Sequence, residues 1–327
     1  KYEMLRSLYQ LIGHTRSIEC GKGERTATYF QIYTWYKHFP NLAKYAFRTL
    51  VQYVNEDYTT NSKKHQYGSW NDVKYFCKYI YDMTGKQDHE LVDYAVELIC
   101  EQLKNDYEQY MQNKPFSLAA RWSPKEKQQK YSWIFRLMAD KMFPYTQTAT
   151  TTSSFIKAQT KSRMELRSKY LSPLNKALDT PQIKMCDKSG RWKELKWNNV
   201  SSKTLRNNTK AWQNITKSGK VRYPDNEDRI VCAEQYKKHM DDAVKGKNGA
   251  KIHGRVVNTY ELVKDALQTS DKSKTEIDRI NLQWEESGKK VKDNLGNIIA
   301  MADTSASMTS DECLPFYNSI GLSIRVS

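Results

Sequence analysis

The sequence predicts a mainly α-helical fold followed by the first strand–helix unit of an α/β domain. Apolar side chains recur at intervals of three and four residues, as in 29–36, 73–80 and 91–98, which is the periodicity of a helix with one buried face. Glycine and proline interrupt this pattern at short distances. Near the end of the sequence, by contrast, residues 298–302 form a continuous apolar run of the kind found in strands that are buried on both faces.

The first part of the sequence divides at residues that usually end helices. Between Lys1 and about Phe143 we expect roughly six helices of 12–20 residues. Consecutive helices with short connections are typical of an α-solenoid or an irregular bundle, and the sequence shows no repeat of fixed period. The expected breaks are 21–23, 40–41, 68–69, Gly85 and 114–115.

The second part is predicted to be more irregular. The Thr/Ser-rich residues 146–154 are expected to form a loop or joint, and residues 183–185 a short strand. We assign 1–290 to one helical domain with a joint near 146–154, and 295–327 to the beginning of a second domain. Further helices are expected at 155–178, 201–213, 227–245, 258–270 and 277–290, with a polar linker at 270–276.

The composition excludes several classes of protein. The aromatic content of 12% is too high for a disordered chain, and no apolar run reaches the ~18 residues that a membrane helix needs. The six cysteines form no Cys-x-x-Cys pair, which favours reduced thiols and a cytoplasmic protein. Because the sequence begins at Lys1 and has no signal peptide, we expect it to be part of a longer protein.

The net charge of +16 is concentrated in one region. Residues 157–222 contain 17 Lys and Arg but four Asp and Glu, which accounts for +13 of that charge. Cations interspersed with aromatic rings are typical of surfaces that bind phosphates and unpaired bases. The alternative is a solvated helix face with the tryptophans in the core. The candidate nucleic-acid ligands in this region are Lys161, Arg163, Arg167, Lys169, Arg191, Lys203, Arg206 and Lys210.

A second candidate site follows the apolar run. Asp303, Ser305 and Ser307 place a carboxylate and two hydroxyls on alternate residues, between the predicted strand and a predicted helix. Such hard oxygen donors suit Mg²⁺ or another divalent cation, and an open coordination position accepts an acidic group from a partner. In the alternative interpretation, Asp303 or Ser305 only caps the following helix.

Several motifs together resemble one family. Residues 12–16 and 21–25 resemble the opening of TROVE-type modules, the helical ring of the Ro autoantigen and its relatives. A closer similarity is to an uncharacterised branch that joins a Ro-like region to a von Willebrand factor A domain and occurs in plants, microbes and large DNA viruses. The motifs that carry this second similarity lie at 68–73, 117–122, 170–174, 183–186 and 258–263.

The resemblance implies a helical-repeat (HEAT-like) ring or arch that binds structured or single-stranded RNA, followed by a von Willebrand A domain. It implies phosphate contacts for Arg16, Lys22 and Arg25, although their segment also suits an ordinary turn between helices. It further implies that the residues 303–307 begin a metal-ion-dependent adhesion site. The remaining ligands of such a site come from later loops, so we expect the Mg²⁺ site to be incomplete in this sequence.

These observations favour a non-catalytic RNA-binding scaffold with an adhesion site for an acidic protein partner and no membrane partner. The alternative is a structural or interaction protein of a large virus particle, which binds packaged nucleic acid or capsid components non-specifically. A metal-dependent nuclease that uses Asp303 is a third hypothesis. No Gly-x-Ser-x-Gly, His-Glu-x-x-His or other nucleophile-and-base motif supports an enzyme.

Overall fold

The computed structural model describes residues 2–18, 21–52, 66–254, 256–267, 273–289 and 299–326. These residues are mainly α-helical, as the sequence predicts, and they include no β-strand apart from an isolated antiparallel bridge between Ile215 and Val221. The chain divides into two compact units, Lys1–Asp179 and Thr180–Ser327. In the described ranges, no helix is both long and apolar enough to cross a membrane.

Each of the five predicted breaks in the first unit lies between two helices or at the first residues of one. A 3₁₀ turn at Tyr145–Thr148 and a π-helical segment at Leu166–Leu171 connect its later helices. The predicted joint near 146–154 therefore lies inside this unit. The helices are α1 (Tyr2–Arg16), α2 (Thr26–Tyr36), α3 (Pro40–Val51), α4 (Asn71–Thr84), α5 (Glu90–Met111), α6 (Ala119–Trp122), α7 (Ser132–Met142), α8 (Thr152–Glu165) and α9 (Ser172–Leu178).

Local sequence signals explain where these helices begin and end. Pro40 occupies the first turn of α3, where its missing N–H has no intrahelical partner to lose. The Nδ1 atom of His89 accepts a hydrogen bond from the Leu91 N–H and caps α5. Gly85 ends α4 with a φ of +70°, a conformation that glycine adopts without steric cost. Thr151 and Ser154 form a capping box at the start of α8.

The core of the first unit lies between the apolar faces of these helices. Phe47 and Phe76 stack at its centre with ring centroids 4.1 Å apart, and both side chains are fully buried. The predicted stripe in 91–98 is also buried, since Leu91, Ala95 and Leu98 are at most 4% exposed. The periodicity therefore identifies the inner faces of α4 and α5 correctly.

A buried ion pair joins α1 to the start of α4. The guanidinium group of Arg16 donates two hydrogen bonds, of 2.9 and 2.8 Å, to the carboxylate of Asp72, and both side chains are at most 1% exposed. Tyr29 and the Ser69 N–H donate to the same carboxylate, at 2.5 and 2.8 Å. Asp72 is thus stabilised as an anion by donors from three segments of the chain.

The motif at 68–73 is explained by this ion pair. A Cβ atom on Gly68 would lie 2.6 Å from the Asp72 carboxylate and 3.0 Å from the Leu50 carbonyl oxygen, so no larger residue fits there. Trp70 and Val73, which precede and follow Asp72 in the chain, are buried in the core. Each of these residues has a structural role.

The second unit has its own smaller core. Trp212 and Tyr236 are fully buried, and their rings lie 5.3 and 5.1 Å from the ring of Trp197 and 5.7 Å from each other. Cys232 and Met240, from the same helix as Tyr236, complete this core. Its helices are α10 (Pro181–Cys186), α11 (Ser202–Trp212), α12 (Glu227–Val244), α13 (Thr259–Leu267), α14 (Lys274–Gly288) and α15 (Ser310–Val326).

Two predicted strands are wrong. Residues 183–185 belong to the helix α10, which Pro181 starts from its first position. In the apolar run 298–302, Ile298 lies outside the described residues, while Ile299 and Met301 are 93% and 95% exposed and have no regular structure. A strand that is buried on both faces needs neighbouring strands and covering helices, and the described residues provide no strand with which it could pair.

The described cysteines are not joined by disulfides. Cys77, Cys100 and Cys232 are buried, Cys313 is partly buried and Cys186 is exposed, and all five are free thiols. Burial raises the pKa of the Cys100 and Cys232 thiols to about 12. The prediction of reduced thiols is confirmed for these five residues, while Cys20 lies outside the described residues.

The ion pair between Arg16 and Asp72 leads to a stability prediction. We expect Asp72→Asn to lower the free energy of unfolding by about 3–5 kcal/mol, because it leaves the Arg16 charge buried without its counterion. Urea denaturation followed by circular dichroism measures this change. Asp82→Asn, which removes the exposed pair with Lys78 on the same helix, is the matched control and should cost less than about 0.5 kcal/mol. Equal effects of the two substitutions would contradict the proposed role of Asp72.

Candidate anion-binding sites

The structure gives Arg16 a structural role in place of the predicted phosphate contact. Its guanidinium group is 1% exposed and is paired with Asp72. A phosphate could reach it only by displacing a buried carboxylate that the Tyr29 hydroxyl and the Ser69 N–H also hold. The prediction of a nucleic-acid contact for Arg16 is therefore corrected, because its charge is already neutralised inside the fold.

Lys22 and Arg25, from the same motif, remain accessible. Lys22 is exposed in the turn before α2. The Arg25 side chain is 39% exposed, its guanidinium carbon lies 4.7 Å from the ring centroid of Tyr75, and its Nε atom is 3.6 Å from Asp72. Arg25 thus bridges the buried ion pair and the surface of α4.

The predicted cations of 161–169 are divided between paired and unpaired side chains. Arg163 and Arg167 both approach the carboxylate of Glu126, at 3.5 and 2.9 Å. The Lys161 ammonium group lies 4.2 Å from the ring centroid of Tyr145, and Lys169 is exposed. Half of this predicted set is therefore already compensated by an acidic side chain.

Two predicted cations of the second unit also have acidic partners. The Arg191 guanidinium is 2.8 Å from the carboxylate of Glu194, three residues further along the chain. The Lys203 ammonium is 3.8 Å from the carboxylate of Glu261 and remains half exposed. Their charges attract a polyanion less strongly than the sequence suggests, because neighbouring carboxylates offset them.

Arg206 is held still more firmly. It donates two hydrogen bonds to Asp265, of 2.9 and 2.8 Å, and one of 2.9 Å to Glu261, and the bonds to Asp265 raise its pKa. Arg279, which is 5% exposed, donates to the same Asp265 at 2.9 Å. Arg206 therefore connects α11 to α13, and it is not a free phosphate ligand.

The uncompensated charge of the second unit lies in residues 214–223, which we call the basic hairpin. It carries Lys217, Lys220 and Arg222, all exposed, and Lys210 of α11 adjoins it through a 3.3 Å hydrogen bond to the Lys217 carbonyl. No ion pair links these four cations to a carboxylate of the described residues. Of these four cations, only Lys210 is among the predicted nucleic-acid ligands. Three cations within six residues, 217–222, are the sequence signal that indicates the others.

The basic hairpin is rigidly built. The Thr216 N–H donates to the Lys220 carbonyl at 2.8 Å, and Gly219 turns the chain with a φ of +81°. At the open end, the Asn214 side chain donates to the Tyr223 carbonyl and accepts from the Tyr223 N–H, at 2.9 and 3.1 Å. These bonds close the turn and keep its lysines exposed.

Arg229 attaches the basic hairpin to the core. Its guanidinium carbon lies 3.4 Å from the ring centroid of Trp192 and 4.9 Å from that of Tyr223, and it donates to the Ala211 carbonyl at 2.7 Å. This stack fixes the position of Tyr223 at the end of the basic hairpin. The hairpin cations are consequently presented on a fixed support.

A cavity of about 670 Å³ opens beside the basic hairpin. Its acidic residues are already engaged, since Asp265 binds Arg206 and Arg279, and Glu276 accepts from the Ser273 N–H at 3.2 Å. The cations without a carboxylate partner that line the cavity are Lys210, Lys217 and Arg222. The cavity is therefore suited to an anion.

The first unit contains a second group of cations, which we call the lysine–aromatic cluster: Arg25, Lys74, Arg121 and Lys125 with Tyr75, Trp122 and Tyr131. The Lys74 ammonium lies 5.6, 5.7 and 5.9 Å from the ring centroids of Tyr75, Trp122 and Tyr131. The Arg121 guanidinium lies 5.1 Å from the Trp122 ring. Arg25 belongs to the motif at 21–25, and Arg121 and Trp122 belong to the motif at 117–122. Lys74 directly follows the motif at 68–73.

The electrostatics of this cluster are unusual because its lysines are desolvated among cations. Burial, followed by the neighbouring charges of Lys125, Arg121 and Arg25, lowers the pKa of Lys74 to about 8. Burial and Arg121 likewise lower the pKa of Lys125 to about 8. Lysines of lowered pKa in a cluster of this kind are characteristic of functional sites.

Sequence reasoning missed Lys74 and Lys125, although a signal for Lys74 was present. Lys74 follows Trp70 by four residues and precedes Cys77 by three, so it occupies the apolar face of α4. A lysine on a buried face is an exception that invites an explanation. Lys125 has no comparable signal, because it lies in the irregular segment after α6.

The predicted metal ligands lie on one exposed turn. The Asp303 carboxylate accepts from the Ser305 N–H at 2.9 Å, and the hydroxyls of Ser305 and Ser307 are 2.9 Å apart. Within the described ranges, no group of three His, Cys, Asp or Glu side chains comes together as a metal would require. Three oxygens on one turn suit Mg²⁺ chemically, but they do not enclose an ion.

The lowered lysine pKa values predict a pH-dependent stability difference. Between about pH 8 and 10.5 the unfolded chain binds more protons at Lys74 than the folded chain, so this residue makes stability rise with pH. We expect Lys74→Met to be more stable than the wild type at pH 7, by on the order of 2 kcal/mol, and this gain to shrink towards pH 10. Urea denaturation at pH 7, 8, 9 and 10 measures it. Lys78→Met, on the same helix but in a surface pair, should show no such trend. A gain that does not change with pH would contradict the lowered pKa.

The comparison with known proteins places the chain in a family. No curated protein and no solved structure matches it. The family model described as "Domain of unknown function (DUF2828)" matches residues 77–296, about two thirds of the chain. The matched segment contains the basic hairpin, Arg121 and Lys125, whereas Arg25, Lys74 and the turn at Asp303 lie outside it. The chain therefore belongs to the DUF2828 family.

Proposed function

We propose that this protein is a non-catalytic RNA-binding scaffold, in which the basic hairpin and Lys210 bind the phosphates of the RNA. The observation that carries the proposal is the group of four cations without carboxylate partners, three of them exposed, beside an open cavity. The resemblance to Ro-like helical modules, with their ring or arch and a following von Willebrand A domain, supports RNA as the polyanion.

The geometry favours contact with a flexible backbone. Cations that lie on a fixed turn release the counterions of the phosphates they bind. This release drives binding independently of the nucleotide sequence of the RNA. The partly exposed Tyr223 gives an unpaired base a ring for stacking, since its side chain is 44% exposed. Single-stranded RNA therefore fits the basic hairpin better than a duplex, whose bases are already stacked.

A charge-removal variant tests the role of the basic hairpin. We expect the triple variant Lys217→Ala, Lys220→Ala and Arg222→Ala to weaken binding of single-stranded RNA by at least tenfold at 50 mM salt. The slope of log affinity against log salt should fall by about 2, because about 0.7 counterions are released for each phosphate contact. Filter binding with a labelled oligonucleotide measures both quantities.

A matched control comes from another turn of the same unit. Lys245, Lys247 and Lys251 are also exposed, and their replacement by alanine removes the same charge. An equal loss of affinity in this control would show that net charge, and not the basic hairpin, determines binding. Wild-type affinity that does not change with salt would refute the RNA-binding function itself.

We also propose that the turn at Asp303 binds a divalent cation weakly, with water or an acidic group of a partner protein completing the coordination. Mg²⁺ bound there would supply a positive charge for that acidic group. Mn²⁺ titration followed by electron paramagnetic resonance should show a weak site that Asp303→Asn removes. Asp311→Asn, a few residues further along the chain, is the control that should retain it. Equal Mn²⁺ binding by wild type and Asp303→Asn would refute this assignment.

A further inference from the structure

We propose that the lysine–aromatic cluster binds a phosphoryl group, with the ammonium groups of Lys74 and Lys125 as its direct ligands. This site is separate from the basic hairpin, and its occupant is a compact oxyanion with two negative charges. Two sources supply that chemistry: a free phosphate compound and the terminal phosphate of an RNA. The proposal therefore goes beyond the scaffold function.

The hydrogen bonding of the two lysines is incomplete. The Lys74 ammonium donates to the Trp122 carbonyl at 3.5 Å, and the Lys125 ammonium to the Ala120 carbonyl at 3.4 Å. Both bonds are long, and each ammonium group has three donors. The two accepting carbonyls belong to the same short helix, α6, so both ammonium groups lie beside that helix. A tetrahedral oxyanion has enough acceptors to engage them.

The carboxylates near the cluster are already used. Asp72 is bound by Arg16, and Asp82, which faces Tyr131, is bound by Lys78 at 2.6 Å. Glu126, next to Lys125 in the chain, accepts from Arg167. The remaining charged groups that face the two lysines, from α4, α6 and the turn before α2, are Lys74, Lys125, Arg121 and Arg25. Lys74 and Lys125 thus have no carboxylate partner among the described residues, and cations surround them.

The aromatic rings explain why such a site persists without its ligand. Tyr75, Trp122 and Tyr131 hold the cations through their π faces, and Tyr75 and Tyr131 pack edge to face at 5.6 Å. The rings also exclude water from Lys74, which is 8% exposed. An anion that replaces lost hydration is bound more strongly in such surroundings than at an open surface.

The proposal predicts that binding is coupled to proton uptake. A bound dianion favours the charged form of both lysines, so affinity should fall by up to about tenfold per pH unit for each lysine above about pH 8. A phosphate monoester, whose second pKa is about 6, remains a dianion above pH 8. The decrease of affinity above pH 8 therefore reflects deprotonation of the two lysines and not a change in the charge of the ligand.

Isothermal titration calorimetry with the whole chain at 50 mM salt tests the proposal. The probes are inorganic phosphate and one oligouridine with either a 5′-phosphate or a 5′-hydroxyl. We expect Lys74→Met and Lys125→Met each to weaken binding of the phosphorylated probe at least tenfold, while Lys104→Met, at an exposed lysine of α5 in the same unit, leaves it unchanged. If inorganic phosphate binds, the natural ligand is a free phosphate compound. If inorganic phosphate does not bind but the 5′-phosphorylated oligouridine is preferred over the 5′-hydroxyl form, the natural ligand is the terminal phosphate of an RNA.

Two results would overturn the inference. One is that none of the three probes binds with a preference for phosphate, and the other is that both lysine variants bind like the wild type. The hairpin variant keeps this test independent of the scaffold function: it should lose affinity for the 5′-hydroxyl RNA and retain the preference for phosphate. Loss of the preference in the hairpin variant, with both lysine variants unaffected, would assign the phosphate to the basic hairpin.

Discussion

The charge of Asp72 has to be neutralised inside the first unit, and the way this is done determines what the surrounding residues can do. Arg16 from α1 and Tyr29 from α2 both donate to its carboxylate, which fixes three helices relative to one another. Lys74 is two residues further along α4, and side chains at this spacing point in nearly opposite directions on a helix. The same first turn of α4 therefore presents a neutralised acid on one side and an uncompensated base on the other.

The distinction between compensated and uncompensated cations also separates structural from functional charge in the second unit. Arg206 and Arg279 share Asp265, and they join α11, α13 and α14. The lysines of the basic hairpin have no such partner, although they lie 11 and 14 residues beyond Arg206 in the chain. A net charge counted over 157–222 gives Arg206 and these lysines the same weight, whereas a phosphate is attracted mainly to the lysines.

The helices could be predicted from the sequence because helix periodicity, caps and breakers are local. The buried faces of α4 and α5 follow from spacing alone, as does the start of α3 at Pro40. The role of Arg16 could not be predicted, since its partner Asp72 is 56 residues away in the chain and no local pattern joins them. The exposed run at Ile299 was predicted as a strand for a related reason. Whether a strand is buried depends on neighbouring elements, which the residues of the run itself do not specify.

The limits of the family match show how sequence similarity and folding differ in this chain. The matched segment begins at Cys77, in the middle of α4, where the side chains on both sides of that boundary belong to one core. Phe76, which stacks on Phe47, and Asp72, which binds Arg16, both precede it. A fragment cut at Cys77 would lose the anchor of α4 together with Lys74 and Arg25. The cations of the lysine–aromatic cluster can therefore be brought together only in a chain that includes α1 to α3, and the boundary at Cys77 is a limit of sequence similarity and not of a folding unit.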